Sequence, residues 1–119
     1  MDNNNLVAVI TGGSKGLGLS ITKNLLSSGY KVVTCSRNKT IDISGIENLI
    51  HIEGNVSDPV IHEKLVSTAI NQFGKLNLYI NNAGISCWKP LEKIDLAFIE
   101  KLYSTNIYSA FWGAKAAQP

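Results

Sequence analysis

The chain has 119 residues, of which 45% are hydrophobic and 17% charged, so its composition is that of one folded domain and not of a disordered segment. Its formal net charge of +2 comes from basic residues scattered along the chain, without the basic run that would follow a nucleic-acid backbone. No apolar stretch approaches the roughly 18 residues of a membrane span and the first residues lack a signal-peptide pattern, so we expect a cytoplasmic protein.

Short apolar runs predict four strands. The first run, residues 6–10, is apolar throughout and rich in β-branched residues, which favours a strand covered on both faces in a parallel sheet. Further strands are expected at residues 31–35, 49–52 and 76–80. Residues 38–47 lack a firm period and are interpreted as a connection.

Three helices are expected between and after these strands. Apolar side chains recur at helical spacing over residues 17–28, where Leu17, Ile21, Leu25 and Leu26 would form the packed face. A second helix begins at Pro59, directly after the capping residue Asp58, and ends at Gly74. The third helical pattern runs from about residue 96 to 117.

Strands that alternate with helices predict an α/β fold, a doubly wound, Rossmann-type parallel sheet with helices on both faces. We expect residues 1–119 to form a single domain whose sheet is incomplete, with the fourth strand as an open edge and the last helix without a packing partner. Ligands of such sheets bind beyond the carboxyl ends of the strands. The turns that should converge there are residues 12–18, Ser36-Arg37, Asn55 and residues 82–84.

The turn from Thr11 to Gly18 connects the first strand to the first helix, so its backbone N–H groups and the helix dipole favour a phosphate. Its spacing is Gly12-x3-Gly16-x-Gly18. This spacing differs from the common dinucleotide pattern G-x-G-x-x-G, and the lysine that ends the phosphate loop of NTPases is absent. Glycines needed only for a tight strand-to-helix connection are the alternative at this point.

Together with Asn81-Asn82-Ala83-Gly84 after the fourth strand, this turn resembles the motifs of the short-chain dehydrogenase/reductase family. The resemblance covers nearly the whole chain and implies a dinucleotide-binding domain. The pyrophosphate would lie at the glycine turn, the adenine at Asn55-Val56 and the nicotinamide ribose at residues 82–84. The family more often has aspartate where Asn55 stands. The implied cofactor-binding residues are Gly12, Ser14, Lys15, Gly16, Leu17, Gly18, Arg37, Asn55, Val56, Asn82, Ala83 and Gly84.

The end of the second strand distinguishes between the two nicotinamide cofactors. An acidic side chain there would hold the ribose hydroxyls of NAD, whereas an arginine accommodates the 2′-phosphate of NADP. This chain has Arg37 at that place and Lys15 in the glycine turn, so we expect NADP and disfavour NAD. Two solvated surface cations are the alternative. Neither Cys35 nor Cys87 has metal-ligand spacing, so no metal is expected.

The resemblance also implies a catalytic set: a serine, a tyrosine with a lysine four residues later, and an asparagine that holds a water in the proton relay. Asn106 matches the asparagine, with bonding to the backbone of its own helix as the alternative role. No tyrosine here has a lysine four residues on, and the sequence ends before a serine-bearing fifth strand. The chain is therefore expected to be the N-terminal portion of a longer reductase and inactive by itself.

In its intact form such a protein would be an NADP-dependent oxidoreductase, a homo-oligomer that reduces a carbonyl or oxidises an alcohol of a small molecule. A non-catalytic nucleotide-binding or regulatory module is the alternative. A structural partner that completes its sheet with another chain is a third possibility. No nucleic-acid or membrane partner is expected.

Overall fold

A computed structural model describes residues 5–38 and 45–119 of the chain. Four parallel strands form one sheet in the order β3-β2-β1-β4, flanked by helices, which confirms the predicted doubly wound α/β class. The strands are β1 (Val7–Thr11), β2 (Lys31–Ser36), β3 (Leu49–Glu53) and β4 (Leu78–Ile80). The helices are α1 (Gly16–Ser27), α2 (Pro59–Phe73), α3 (Leu96–Tyr103) and α4 (Ser109–Ala117).

Strand β1 lies inside the sheet, between β2 and β4, and all five of its residues are buried. This position explains why its sequence is apolar without alternation. The core on one side of the sheet contains Val9 and Val33 together with Leu65 of α2. The expected connection at residues 38–47 lies largely outside the described residues.

The prediction of the packed apolar face of α1 is wrong in part. Leu17 is 72% exposed, and the residues that α1 buries are Gly18 and Thr22. The reason is a close approach of the helix to the glycine turn, where Thr22 Oγ1 lies 3.1 Å from the Gly13 carbonyl oxygen. Only small side chains fit at this contact, so leucines of the same helix are left outside it.

Helix α2 begins and ends where the sequence predicts. The Asp58 carboxylate accepts a hydrogen bond from the Val60 N–H at 3.0 Å, Pro59 occupies the first turn, and Gly74 ends the helix with a φ of 87°. These signals are local, because each depends on residues within one turn of the helix end.

The third helical pattern contains an irregularity. A π-helical turn, Ser104–Tyr108, separates α3 from α4. Helix α4 packs on α2 and β4, so the expectation that the last helix lacks a packing partner is wrong. Gly113 makes the contact with β4 possible, because a β-carbon there would lie 2.7 Å from the Tyr79 ring.

Strand β4 is shorter than expected and begins at Leu78. Asn77, directly before it, makes two bonds to Val7: its N–H donates to the Val7 carbonyl oxygen at 2.9 Å, and its Oδ1 accepts the Val7 N–H at 2.9 Å. Within the described residues β4 pairs with β1 alone, so its other edge is open. No helix in this part of the chain is long and apolar enough to cross a membrane.

Replacing the cap of α2 tests the helix-start signal. We expect Asp58→Ala to lower the free energy of unfolding by about 1 kcal/mol, because the Val60 N–H loses its acceptor. Asp58→Asn is the matched control, since asparagine caps helices as well as aspartate. Urea unfolding of the three proteins measures the difference, and equal losses in both variants would contradict the capping role.

Candidate functional site

A pocket of about 690 Å³ opens at the carboxyl ends of the strands, where the turns that follow β1, β2, β3 and β4 meet. All twelve residues that the sequence implies for cofactor binding line it. The convergence expected from the topology is therefore present. Further lining residues include Lys101 and Thr105 of the last helical segment, which the sequence reading missed. No local pattern in the sequence marks these two residues, because their approach to the pocket depends on a long-range contact.

The turns after β1 and β4 are joined by hydrogen bonds. Thr11 Oγ1 accepts the N–H groups of Asn82 and Ala83, both at 3.0 Å. In return the Asn82 side chain donates from Nδ2 to the carbonyl oxygens of Thr11 and Gly12, both at 3.1 Å. Asn82 therefore shapes the glycine turn in addition to lining the pocket.

The glycine turn needs glycine for two separate reasons. Gly12 and Gly16 have φ angles of 69° and 57°, in the left-handed region that favours glycine. At Gly18 the requirement is space, because a β-carbon would collide with the carbonyl oxygen of Gly12. The structure therefore gives the glycines a role in the strand-to-helix connection as well as in the wall of the pocket.

Two buried threonines that the sequence reading did not single out support this turn. Thr34 Oγ1 accepts the Gly13 N–H at 2.9 Å and donates to the Ile10 carbonyl oxygen at 2.6 Å. Thr22 donates to backbone carbonyl oxygens of the same region. A buried hydroxyl without a partner is costly, so these pairings fix the backbone of the turn from behind.

Helix α1 presents an uncapped N-terminus to the pocket. Its N-cap residue, Lys15, makes no side-chain capping bond, whereas Asp58 and Asp95 cap α2 and α3. No acidic residue lies in the first turn of α1. The N–H groups of that turn and the helix dipole therefore remain available to an anion.

The pocket lining is electropositive. Lys15, Arg37 and Lys101 line it, and among the described residues no aspartate or glutamate does. The Ser36 hydroxyl beside Arg37 donates to the Asn38 carbonyl oxygen at 2.6 Å and lies 2.5 Å from His51 Nε2. This arrangement favours a ligand with several negative charges.

At the carboxyl end of β3, the Asn55 side chain is bonded within its own turn. Its Oδ1 accepts the Ser57 N–H at 3.0 Å and the Ser57 hydroxyl at 2.9 Å. The next residue, Val56, lines the pocket, and its N–H has no hydrogen-bond acceptor in the part of the chain that the structure describes. This N–H can donate to an acceptor atom of a ligand.

Asn106 lies in the π-helical turn and is absent from the pocket lining. Its Oδ1 accepts the Ile85 N–H at 2.7 Å, and its Nδ2 donates to the Ile85 carbonyl oxygen at 2.9 Å. The alternative of a bond to its own helix is therefore wrong for the side chain. Asn106 instead fixes Ile85, a residue of the pocket wall.

The buried residue Cys35 also lines the pocket. Burial raises the pKa of Cys35, although a hydrogen bond with the Gly12 backbone opposes part of that shift. Burial also raises the pKa of Tyr79, with a smaller contribution from Cys35. Residues 5–38 and 45–119 contain no group of three histidine, cysteine or acidic side chains that could hold a metal ion.

Substitution of Gly18 tests the close approach. We expect Gly18→Ala to destabilise the protein by about 1–3 kcal/mol through overpacking, although alanine favours helices by up to about 1 kcal/mol. The control is Gly16→Ala, whose β-carbon would meet nothing within 4 Å, so that only backbone strain of about 1 kcal/mol remains. Chemical unfolding compares the two, and a smaller loss at position 18 than at position 16 would contradict the close approach.

Comparisons with known proteins agree with this geometry. A family model described as short chain dehydrogenase matches residues 6–119. A tropinone reductase homolog of Arabidopsis thaliana is 36% identical over 94% of this chain and 46% of its own length. A 1,2-dihydroxy-1,2-dihydronaphthalene dehydrogenase of Ralstonia sp. is 35% identical over 95% of this chain and 47% of its own length.

Solved structures give the same result. A short-chain dehydrogenase/reductase from Serratia marcescens superposes with a TM-score of 0.84 at 26% identity, over 98% of this chain and 53% of that one. The chain spans about half the length of the curated relatives it matches. By the extent of these matches, the chain belongs to the short-chain dehydrogenase/reductase family.

Proposed function

We propose that this chain binds NADP(H) and forms the cofactor-binding part of an oxidoreductase. The observation that carries the proposal is the pocket at the carboxyl ends of the strands, with its uncapped helix N-terminus, three basic residues and no acidic ones among the described residues. A dinucleotide that carries a pyrophosphate and an additional phosphate matches this charge pattern.

Each part of the cofactor has residues that would hold it. The glycine turn and the first turn of α1 would bind the pyrophosphate, and Lys15 and Arg37 the 2′-phosphate. The N–H of Val56 would face the adenine, and the segment that begins at Asn82 would line the path to the nicotinamide ribose. The bound nicotinamide supplies or accepts a hydride.

The reaction itself is proposed for a longer protein that contains this chain. Its tyrosines, Tyr30, Tyr79, Tyr103 and Tyr108, are not followed by lysine at the fourth position. A serine-bearing strand beside the open edge of β4 and a Tyr-x-x-x-Lys sequence would complete the site. Without them we expect the 119-residue chain to bind cofactor and to have no activity.

The substrate is proposed to be a small alcohol or carbonyl compound. Among the similar proteins, one is named for a dihydrodiol, an alcohol, and another is a diacetyl reductase of Staphylococcus epidermidis, named for a carbonyl compound. We propose a homo-oligomer in the cytoplasm for the complete protein. Asn106 would contribute to catalysis by holding Ile85, and a water of the proton relay would bind to its main chain, because its side chain is engaged.

Cofactor titration tests the proposal directly. We expect NADPH to quench or shift tryptophan fluorescence saturably, and NADH to bind more weakly, because only NADPH carries the phosphate that Lys15 and Arg37 would hold. Trp88 follows the pocket residue Cys87, so a bound dinucleotide would lie near it. Tight binding of NADH with no preference for NADPH would contradict the choice of cofactor. Absence of saturable binding by either would contradict the whole proposal and leave the structural-partner hypothesis.

Charge substitutions test the two basic residues. We expect Arg37→Asp to weaken NADPH binding by about 10- to 100-fold, because charge-assisted hydrogen bonds to the phosphate contribute roughly 1.5–3 kcal/mol. NADH binding should change little or improve, since a carboxylate can accept the ribose hydroxyls. Lys15→Ala should weaken the binding of NADPH and leave the binding of NADH unchanged. Lys23→Ala is the matched control, an exposed lysine of α1 that does not line the pocket, and an equal effect there would indicate nonspecific electrostatics.

A further inference from the structure

Helix α2 carries a histidine that is completely buried and bonded through both ring nitrogens. His62 Nε2 lies 2.7 Å from the Val56 carbonyl oxygen, and Nδ1 lies 2.6 Å from the Tyr79 hydroxyl oxygen. A carbonyl oxygen can only accept, so Nε2 bears the proton in the neutral ring and Nδ1 accepts from the tyrosine. A hydrogen-bonded chain therefore runs from β4 through α2 to the turn after β3.

The series of hydrogen bonds from Tyr79 through His62 ends at a peptide unit that is hydrogen-bonded on both of its edges. The carbonyl oxygen of the Val56–Ser57 peptide accepts from His62, and its N–H donates to Asn55 Oδ1. The peptide unit is planar, so bonds on its two edges fix its rotation. Both residues on its pocket side, Asn55 and Val56, are held in place by this arrangement.

We propose that His62 is a positioning residue for the purine end of the cofactor pocket. It does not line the pocket and acts through Val56, whose N–H has no acceptor among the described residues. The inference rests on the proposed function, because it assigns to this turn the adenine of a bound dinucleotide. Its consequence is that loss of the His62 bond weakens adenine-containing ligands selectively.

A purely apolar core would not require this histidine. Other buried side chains pack the region around it, among them Leu65 and Ala69 of the same helix. Burying an imidazole costs free energy unless its nitrogens are paired, so the two short bonds offset that cost. What the histidine adds beyond packing is a donor of defined direction, fixed on the far side by Tyr79.

Two amide substitutions at position 62 separate the effect of the hydrogen bond to Val56 from the effect of packing. In His62→Gln the side-chain amide nitrogen can reach the Val56 carbonyl oxygen, whereas in His62→Asn the shorter side chain reaches Tyr79 but not Val56. The affinities for NADPH, adenosine 2′,5′-bisphosphate and nicotinamide mononucleotide are measured for each in the protein that contains the full chain. We expect His62→Asn to weaken the two adenine ligands by about tenfold, the loss of one buried bond, and nicotinamide mononucleotide less than twofold.

Two further variants serve as controls. His62→Gln should retain most of the adenine affinity, and Tyr79→Phe should lose only about two- to threefold, because the bond from Nε2 to Val56 remains. Leu65→Ala removes a buried side chain one turn further along α2 and lowers the stability of the protein by leaving a cavity. It should leave the ratio of adenine to nicotinamide affinity unchanged.

The outcomes distinguish this inference from the proposed function. Equal affinities in His62→Gln and His62→Asn would overturn it, as would parallel weakening of all three ligands. If the unsubstituted protein binds neither NADPH nor adenosine 2′,5′-bisphosphate, the proposed function fails and this inference fails with it. If that protein binds both and the variants bind them equally well, only the role of His62 is refuted.

Discussion

The close approach of α1 to the end of β1 is the contact on which the rest of the structure depends. Gly18 lies against the Gly12 carbonyl oxygen with no room for a β-carbon between them. This contact brings Thr22 within hydrogen-bonding distance of the Gly13 carbonyl oxygen and directs the first turn of the helix toward the pocket. A larger side chain at position 18 would move the helix away, and with it the N–H groups that an anion requires.

The two sequence motifs that identify the family form one structural unit. Asn82 donates to the backbone of the glycine turn, and Thr11 accepts from the backbone beyond β4. Strands β1 and β4 are neighbours in the sheet, so these bonds extend their pairing beyond the last ladder residues. The motif after β4 therefore contributes to the pocket twice: it lines the wall and it holds the opposite wall in shape.

Sequence reasoning located the sheet because its signals there are local. The apolar run at residues 6–10 favours burial on both faces, which a strand inside a parallel sheet provides. The same reasoning misplaced the packed face of α1. Hydrophobic periodicity assigns leucines to the packed face of a helix, whereas the close contact of α1 with the glycine turn leaves room only for small residues such as Gly18 and Thr22. The π-helical turn at Asn106 was not predictable, because one extra residue in a helix leaves no repeat in the sequence. Lys101 lines the pocket through a long-range contact, which no local sequence pattern indicates.

Asn55 shows how a departure from the family pattern fits the charge of the pocket. An amide oxygen accepts the Ser57 N–H as a carboxylate would, so the turn keeps its shape whether asparagine or aspartate is present. What changes is the charge: asparagine leaves the described lining with basic residues and no acidic ones. An aspartate at the same place would repel a ligand rich in phosphate and partly cancel the field of Arg37. With the geometry held by His62 and Ser57, the substitution raises the positive potential of the pocket without altering its wall. A more positive pocket agrees with the proposal that the ligand is NADP(H), which carries an additional phosphate.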